Sequence, residues 1–276
     1  MWVCFIGATI ISMDRFFKEI KRKTIRAIEN PDFVFPYIKG SIEKEFSKKN
    51  AEKILLEHGG ELVASGTEKK VFRVPFRFRD GSIHFYAVAF IYTHTRLESR
   101  GREHMEKMRN TREWYRKILG DKYVNTEHLF LSKGDEKTII YVQPFLQFKE
   151  GKRDLFQNIV KNLDEILMEM KNNSDFFTDM KIISKRVLLE YSENGLLPDF
   201  YNHFASVEGK ENPANMYLTE DNRILFTDMH TAFYDTRIKN NKEALSTMSF
   251  IPLRDDDIRL QYTDELIHAL HIISNQ

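Results

Sequence analysis

Cysteine is almost missing from this sequence: Cys4 is the one thiol in 276 residues. A single thiol excludes an intrachain disulfide framework and suits a reducing cytoplasm. An excess of charge of either sign is missing as well, 42 basic residues standing against 41 acidic ones for a net charge of +1. That balance gives no sign of a nucleic-acid or acidic-membrane partner. The opening run "MWVCFIGATIIS" is too short to span a bilayer and lacks the basic flank of a signal peptide. It reads as a buried strand or helix start, with a true start at Met13 and a membrane anchor as the other readings. No internal repeat, low-complexity linker or Pro/Gly-rich hinge divides the chain. Gly-x-Ser-x-Gly, a Cys/His dyad and zinc-spaced ligands are missing too, which leaves hydrolase and metalloprotease readings without support. His268 and His271 have no third ligand in sight and read as surface or packing histidines. The basic run Lys18–Arg26 reads as a solvated helix face.

What is present is an ordinary globular composition, 42% hydrophobic and 30% charged, in a chain long enough for one large domain or two modest lobes. Residues 12–29 and about 40–58 read as helices, with Ser12 and Ser41 as caps and apolar residues recurring every three and four. From Glu61 the texture changes to aromatic and β-branched runs. "ELVASG", "KKVFRVPFRF" and "IHFYAVAFIYT" predict a three-strand antiparallel meander, the last two runs being separated by the turn "RDGS". A helix over about 97–119 follows, with Met105, Met108, Trp114, Tyr115 and Ile118 as its apolar members. Two more strands, "HLFLS" and "KTIIYVQPFLQF", are joined by "KGDE". Residues 152–172 and 175–193 read as amphipathic helices, Phe177, Met180, Ile183, Val187 and Tyr191 lining one face of the second. A hairpin and a final helix at about 255–273 end the series. This order predicts an α+β protein: a helical extension over 1–58, a sheet-rich part over 59–148 and a helical part over 149–276.

The stretch "ENPANMYLTEDNRILFTDMH", Glu211 to His230, is two short apolar runs around a polar turn at Glu220–Arg223. Asn215 precedes the first run and Asp228 follows the second. One amide oxygen and one carboxylate brought to a common point form the oxygen donor set that a hard cation takes. Upstream, "NGLLPDF" (Asn194–Phe200) follows directly on an amphipathic helix. Its Pro198-Asp199 reads either as a plain turn or as a loop presenting a carboxylate.

Together these stretches resemble the protein-kinase-like fold over roughly residues 60–235, with a two-lobed arrangement of an antiparallel sheet lobe and a helical lobe. The signatures of that family are a Gly-rich loop, a lysine in the third strand, a catalytic-loop Asp followed by Asn, and Asp-Phe-Gly. The resemblance implies that Asn215 and Asp228 hold magnesium, Asp228-Met229-His230 standing where Asp-Phe-Gly would. In the usual spacing the base would fall on Lys210, which cannot accept a proton while charged. Leu197-Pro198-Asp199-Phe200 mirrors His-Arg-Asp-Leu and makes Asp199 the implied base, with "YNHFASVEGKEN" as an insertion before Pro213-Ala214-Asn215.

"ASGTEKKVFRV" aligns with the Gly-rich loop, Gly66 as its middle glycine and Val71 over the adenine. Ile91 stands where the third-strand lysine is expected. In the with-no-lysine kinases the phosphate-binding lysine comes from the Gly-rich strand, at the position Lys69 holds here. Lys69 and Lys70 also fit solvated strand-end charges, and Arg73 is a second candidate cation. Glu103, Glu106 and Glu98 are the helix glutamates placed to orient that cation, Glu106 among the nucleotide-site residues. Only 48 residues follow Asp228 and none form Ala-Pro-Glu, so the expected helical lobe is truncated, as in minimal kinase-like proteins of bacteria and phages. The resemblance implies ATP and Mg2+ as cofactors, a nucleotide and a phosphate acceptor as partners, and a cytoplasmic location. A pseudokinase acting as a binding module, and an unrelated α+β binding protein, are the competing readings.

Overall fold

The computed structural model describes residues 51–57, 59–65, 69–77, 82–92, 101–125, 127–131, 138–146, 149, 152, 155–200, 215–227, 229–238, 246–255 and 257–276. The helix expected over 12–29, most of that expected over 40–58, Gly66, Lys210 and Asp228 lie outside them. The fold is mixed α+β. It packs as two compact units, one of Met1–Met105 with Thr126–Phe145, the other of Glu106–Asn125 with Leu146–Gln276.

In the first unit a short helix α1 (Ala51–Glu57) precedes strands β1 (Glu61–Ser65), β2 (Lys69–Arg77) and β3 (Ile83–Tyr92). Helix α2 (Gly101–Leu119), most of which belongs to the second unit, comes next in the chain, and β4 (His128–Leu131) and β5 (Thr138–Pro144) follow in the first. The five strands form one antiparallel sheet in the order β1-β2-β3-β5-β4. All five strands expected from the sequence are present. Alternation decides its faces. Phe72, Val74, Val88, Phe90, Ile140 and Val142 are buried on one side, with Phe72 and Phe90 meeting edge to face at 6.3 Å. Val71 and Arg73 occupy the other side, opposite Ala89 and Ala87 of β3.

The second unit is built on helices α3 (Leu163–Asn172), α4 (Ser174–Asn194) and α5 (Ile258–Ser274). The core joins Phe176, Met180, Ile183 and Val187 of α4 to Leu266, Leu270 and Ile273 of α5. Phe176 is fully buried where the sequence pattern favoured its neighbour Phe177, which packs only partly against the core, as does Tyr191. Two strand groups complete it. β6 (Leu196–Pro198) pairs antiparallel with β9 (Ala232–Asp235), and β10 (Phe250–Leu253) pairs parallel with β9 at the other edge. β7 (Met216–Leu218) and β8 (Ile224–Phe226) form the expected hairpin.

The helix expected over 152–172 is a correction: it begins only at Leu163, and residues 155–157 and 159–162 are turns. Two asparagines account for this. The Asn158 side chain accepts from the Lys161 amide at 3.0 Å, and the Asn162 side chain donates to the Leu155 carbonyl at 3.1 Å. Such local bonds offer the backbone an alternative to the helical ladder. β6, β9 and β10 were not read as strands from the sequence at all. Among the described residues, no helix is long and apolar enough to cross a membrane.

Candidate functional site

Helix α4 stops at Gly195, whose φ of 69° is a left-handed cap. A Cβ there would lie 3.1 Å from the Ile238 Cβ and 3.2 Å from the Asp235 carbonyl oxygen, so the position requires glycine. The chain leaves this cap as β6 and runs straight into Asp199. The ladder with β9 pairs Leu196 with Tyr234, Leu197 with Phe233 and Pro198 with Ala232. Asp199 is half-buried and Phe200 buried, the Phe200 ring lying edge-on to Phe226 at 6.0 Å.

The hairpin turn is set by Asn222, the one described non-glycine residue with positive φ (60°), a conformation asparagine tolerates better than most. The Thr219 amide donates to the Arg223 carbonyl at 2.9 Å, closing the turn. Asp221 is held below the usual carboxylate range by the Thr219 hydroxyl first, then by Arg223, against the opposing effect of burial. Lys149 pins this turn to α3: its ammonium donates to Asn222 Oδ1 at 2.9 Å and to Glu169 Oε1 at 2.7 Å. Burial pushes the Glu169 carboxyl up, but Lys149 and Lys152 outweigh it and leave it below its ordinary value.

At the open end of the hairpin the Thr227 amide donates to the Asn215 carbonyl at 2.8 Å, one rung beyond Met216–Phe226. Asn215 is 8% exposed. Its side-chain Nδ2 donates to the backbone carbonyl of Asp199 at 3.4 Å. Two residues sixteen positions apart are thus neighbours, and the hairpin's last rung lies one residue from Asp228 in sequence. Asp228 itself is outside the described residues. Met229 and His230, which follow it, are 0% and 6% exposed, Met229 being part of the core.

Tyr115, an apolar member of α2 by its spacing, also carries a polar contact to the candidate site. Its hydroxyl accepts from the Asp199 amide at 2.7 Å and donates to the Thr231 carbonyl at 2.9 Å. The available signal was a tyrosine, not a phenylalanine, on a buried helix face, since a buried phenol usually needs a partner.

In the first unit Lys69 opens β2, and its cross-strand partner is Ile91. Val71 pairs with Ala89. Gly66 lies outside the described residues. The Arg73 guanidinium lies 3.8 Å over the Phe85 ring and 5.4 Å from that of Phe145, with Glu61 at 3.7 Å. Glu106, on α2, pairs with Arg109 one turn on at 2.7 Å. Among the described residues, no group of three or more His, Cys, Asp or Glu side chains is arranged to hold a metal.

No protein-family model matches the sequence, and no curated protein matches it. Among solved structures the chain is similar to vaccinia related kinase 3, at 10% identity and a TM-score of 0.31, over 63% of this chain and 47% of that one. It is also similar to the kinase PK-1 of Cydia pomonella granulovirus, at 8% identity and a TM-score of 0.35, over 83% of this chain and 74% of that one. The chain therefore spans about half the length of the first of these kinases.

Proposed function

We propose that this chain is a kinase-like phosphotransferase that moves the γ-phosphoryl group of ATP to a hydroxyl acceptor, in a two-lobed protein-kinase-like arrangement. The observation that carries the reading is the meeting of Asp199 and Asn215, through the Asn215 side chain and the Asp199 carbonyl. The motif resemblance implies that the pair is a base and a metal ligand, separated in sequence by the insertion Tyr201–Asn212. Asp199 accepts the proton of the acceptor hydroxyl. The acceptor oxygen bonds to the γ-phosphorus as the bond to the β,γ-bridging oxygen breaks, and ADP leaves with that oxygen.

Asn215 and Asp228 supply one neutral and one anionic oxygen, the hard donors magnesium takes. The buried Asn215, fixed at the end of a short ladder, suits a ligand that must not wander. Magnesium, when bound, neutralises charge on the phosphate oxygens. Lys69 supplies a cation for the phosphates. Its support is register: it stands opposite Ile91, so a lysine lost from the third strand is replaced on the same rung of the neighbouring strand. Phosphoryl transfer asks mainly for positioning and charge neutralisation, which such a set can provide.

Calorimetry of ATP binding with and without magnesium, on the wild type and on Asp228→Ala, tests the reading. Magnesium should strengthen ATP binding to the wild type, and the variant should lose that dependence while keeping its melting profile. Equal affinity in the two proteins rejects the metal assignment. ATP binding without transfer to any acceptor, water included, makes the chain a nucleotide-binding pseudokinase.

A further inference from the structure

Asp199 sits where the β6–β9 ladder ends. The pairing runs from Leu196–Tyr234 to Pro198–Ala232, which makes Asp199–Thr231 the next rung. The Asp235 amide donates to the Gly195 carbonyl at 2.8 Å, so Gly195–Asp235 is a hydrogen-bonded pair. Alternation along an antiparallel ladder makes Leu197–Phe233 and then Asp199–Thr231 pairs of the same kind. A continued ladder would send the Asp199 amide to the Thr231 carbonyl. Instead the Tyr115 hydroxyl stands between them, accepting from the first at 2.7 Å and donating to the second at 2.9 Å. The Asp199 carbonyl, whose ladder partner would be the Thr231 amide, takes the Asn215 side chain at 3.4 Å.

The hydroxyl is itself held in place. Tyr115 is 1% exposed, its ring edge-on to Trp114 at 4.9 Å and tilted against Phe226 at 6.1 Å. Trp114 is anchored in turn by its indole donating to Glu190 at 2.9 Å. Phe226 leads into the hairpin end that carries Asn215, and its own carbonyl accepts from the Asn125 amide at 3.0 Å.

We propose that Tyr115 is a positioning residue for the phosphotransferase reaction, its hydroxyl wedging the β6–β9 ladder open by one rung so that Asp199 leaves the strand in register with Asn215. The inference rests on the function proposed above. Without the hydroxyl, the Asp199 amide and Thr231 carbonyl either close on each other, drawing Asp199 back into the strand, or lose the part-buried partner they share. Both outcomes move the backbone that carries the base.

Tyr115→Phe keeps the ring contacts and removes only the hydroxyl. Tyr123→Phe is its control, deleting a buried hydroxyl bond to Asp179 (2.8 Å) in the same unit. Amide hydrogen exchange at Asp199 and steady-state kinetics are measured on the full chain. In the wild type the Asp199 amide should be protected. In Tyr115→Phe it should exchange at least about tenfold faster while α4 and α5 keep their protection. kcat should fall about tenfold with KM for ATP little changed, and Tyr123→Phe should keep kcat at a similar loss of stability. An unprotected Asp199 amide in the wild type overturns the wedge, even if Tyr115→Phe fails to fold. Faster exchange with kcat unchanged overturns the positioning role alone. A wild type with a protected amide and no phosphoryl transfer overturns the proposed function and the role together.

Discussion

Replacing Asp235 by asparagine tests the packing that supports the β6–β9 pair. The Asp235 side chain is fully buried, and its carboxylate accepts from the Tyr191 hydroxyl at 2.7 Å and the Arg237 amide at 2.9 Å. It also takes the Arg237 guanidinium on both oxygens, Nε at 3.1 Å and Nη2 at 2.8 Å. Burial alone pushes this carboxyl up, but the bonds from Arg237 and Tyr191 outweigh it and hold it below the usual carboxylate range. Asparagine keeps the shape and one acceptor, yet turns an amide N–H2 toward groups that donate. The tyrosine hydroxyl can rotate to accept; the guanidinium cannot. Stranding a buried charge costs about 3–5 kcal/mol, but Arg237 is partly exposed and keeps Asp264 at 2.7 Å, which brings the expected loss to about 2–3 kcal/mol. For a unit of this size that is roughly 5–10 °C in Tm. Thermal melts followed by circular dichroism at neutral pH read it directly. A depressed folded-state pKa stabilises above the unfolded value and loses that contribution as pH falls through the folded one. The gap between wild type and Asp235→Asn should therefore be full at neutral pH and shrink once pH drops below about 4. A loss no larger than a surface change gives, about 0.5 kcal/mol, or a gap undiminished in acid, refutes the reasoning.

Asp199→Asn should leave stability and ATP affinity nearly unchanged, because Asp199 meets Tyr115 and Asn215 through backbone atoms. Turnover should fall by roughly two orders of magnitude, whereas Lys210→Ala does much less; a fully active Asp199→Asn rejects the assignment of the base. Lys69→Met should weaken ATP binding or turnover far more than Lys70→Met, whose lysine forms a half-exposed pair with Glu52 at 2.5 Å, a contact worth about 0–1 kcal/mol. Equal effects at the two positions, measured by calorimetry, remove Lys69 from the phosphate site.

The five-stranded sheet was legible because its runs are long enough to show alternation and are punctuated by turn residues. β6, β9 and β10 hold three or four residues each, too few for a period to register. Their pairing is also set by distant partners, β10 lying parallel to β9 through a connection the sequence does not advertise. Around 155–162 the apolar spacing of Leu155, Phe156, Ile159 and Val160 imitates a helix, while Asn158 and Asn162 spend their side chains on the backbone and favour turns. At the candidate site, the hairpin after Asn215 could be read from its two apolar runs; the contact of the Asn215 side chain with the Asp199 backbone could not. For Tyr115 the sequence shows a phenol on a buried helix face but not its partners, since they lie on two strands remote from it in sequence.

The third strand of the small mixed sheet, β10, lies at its edge among the described residues. The carbonyls of Ser249 and Leu253 accept from the Ala232 and Thr236 amides, so the alternate residues Phe250 and Pro252 turn their backbone groups away from β9. An outward-facing row of amides is a template on which a second polypeptide can add a strand, the first step of edge-to-edge aggregation. Proline has no amide hydrogen to offer, and on this side its absence costs the internal ladder nothing. Pro252 therefore interrupts that template where Ile251 leaves apolar surface beside it, at 36% exposure. At Pro252 the outer edge offers no amide, and the strand's pairing with β9 is not weakened by it.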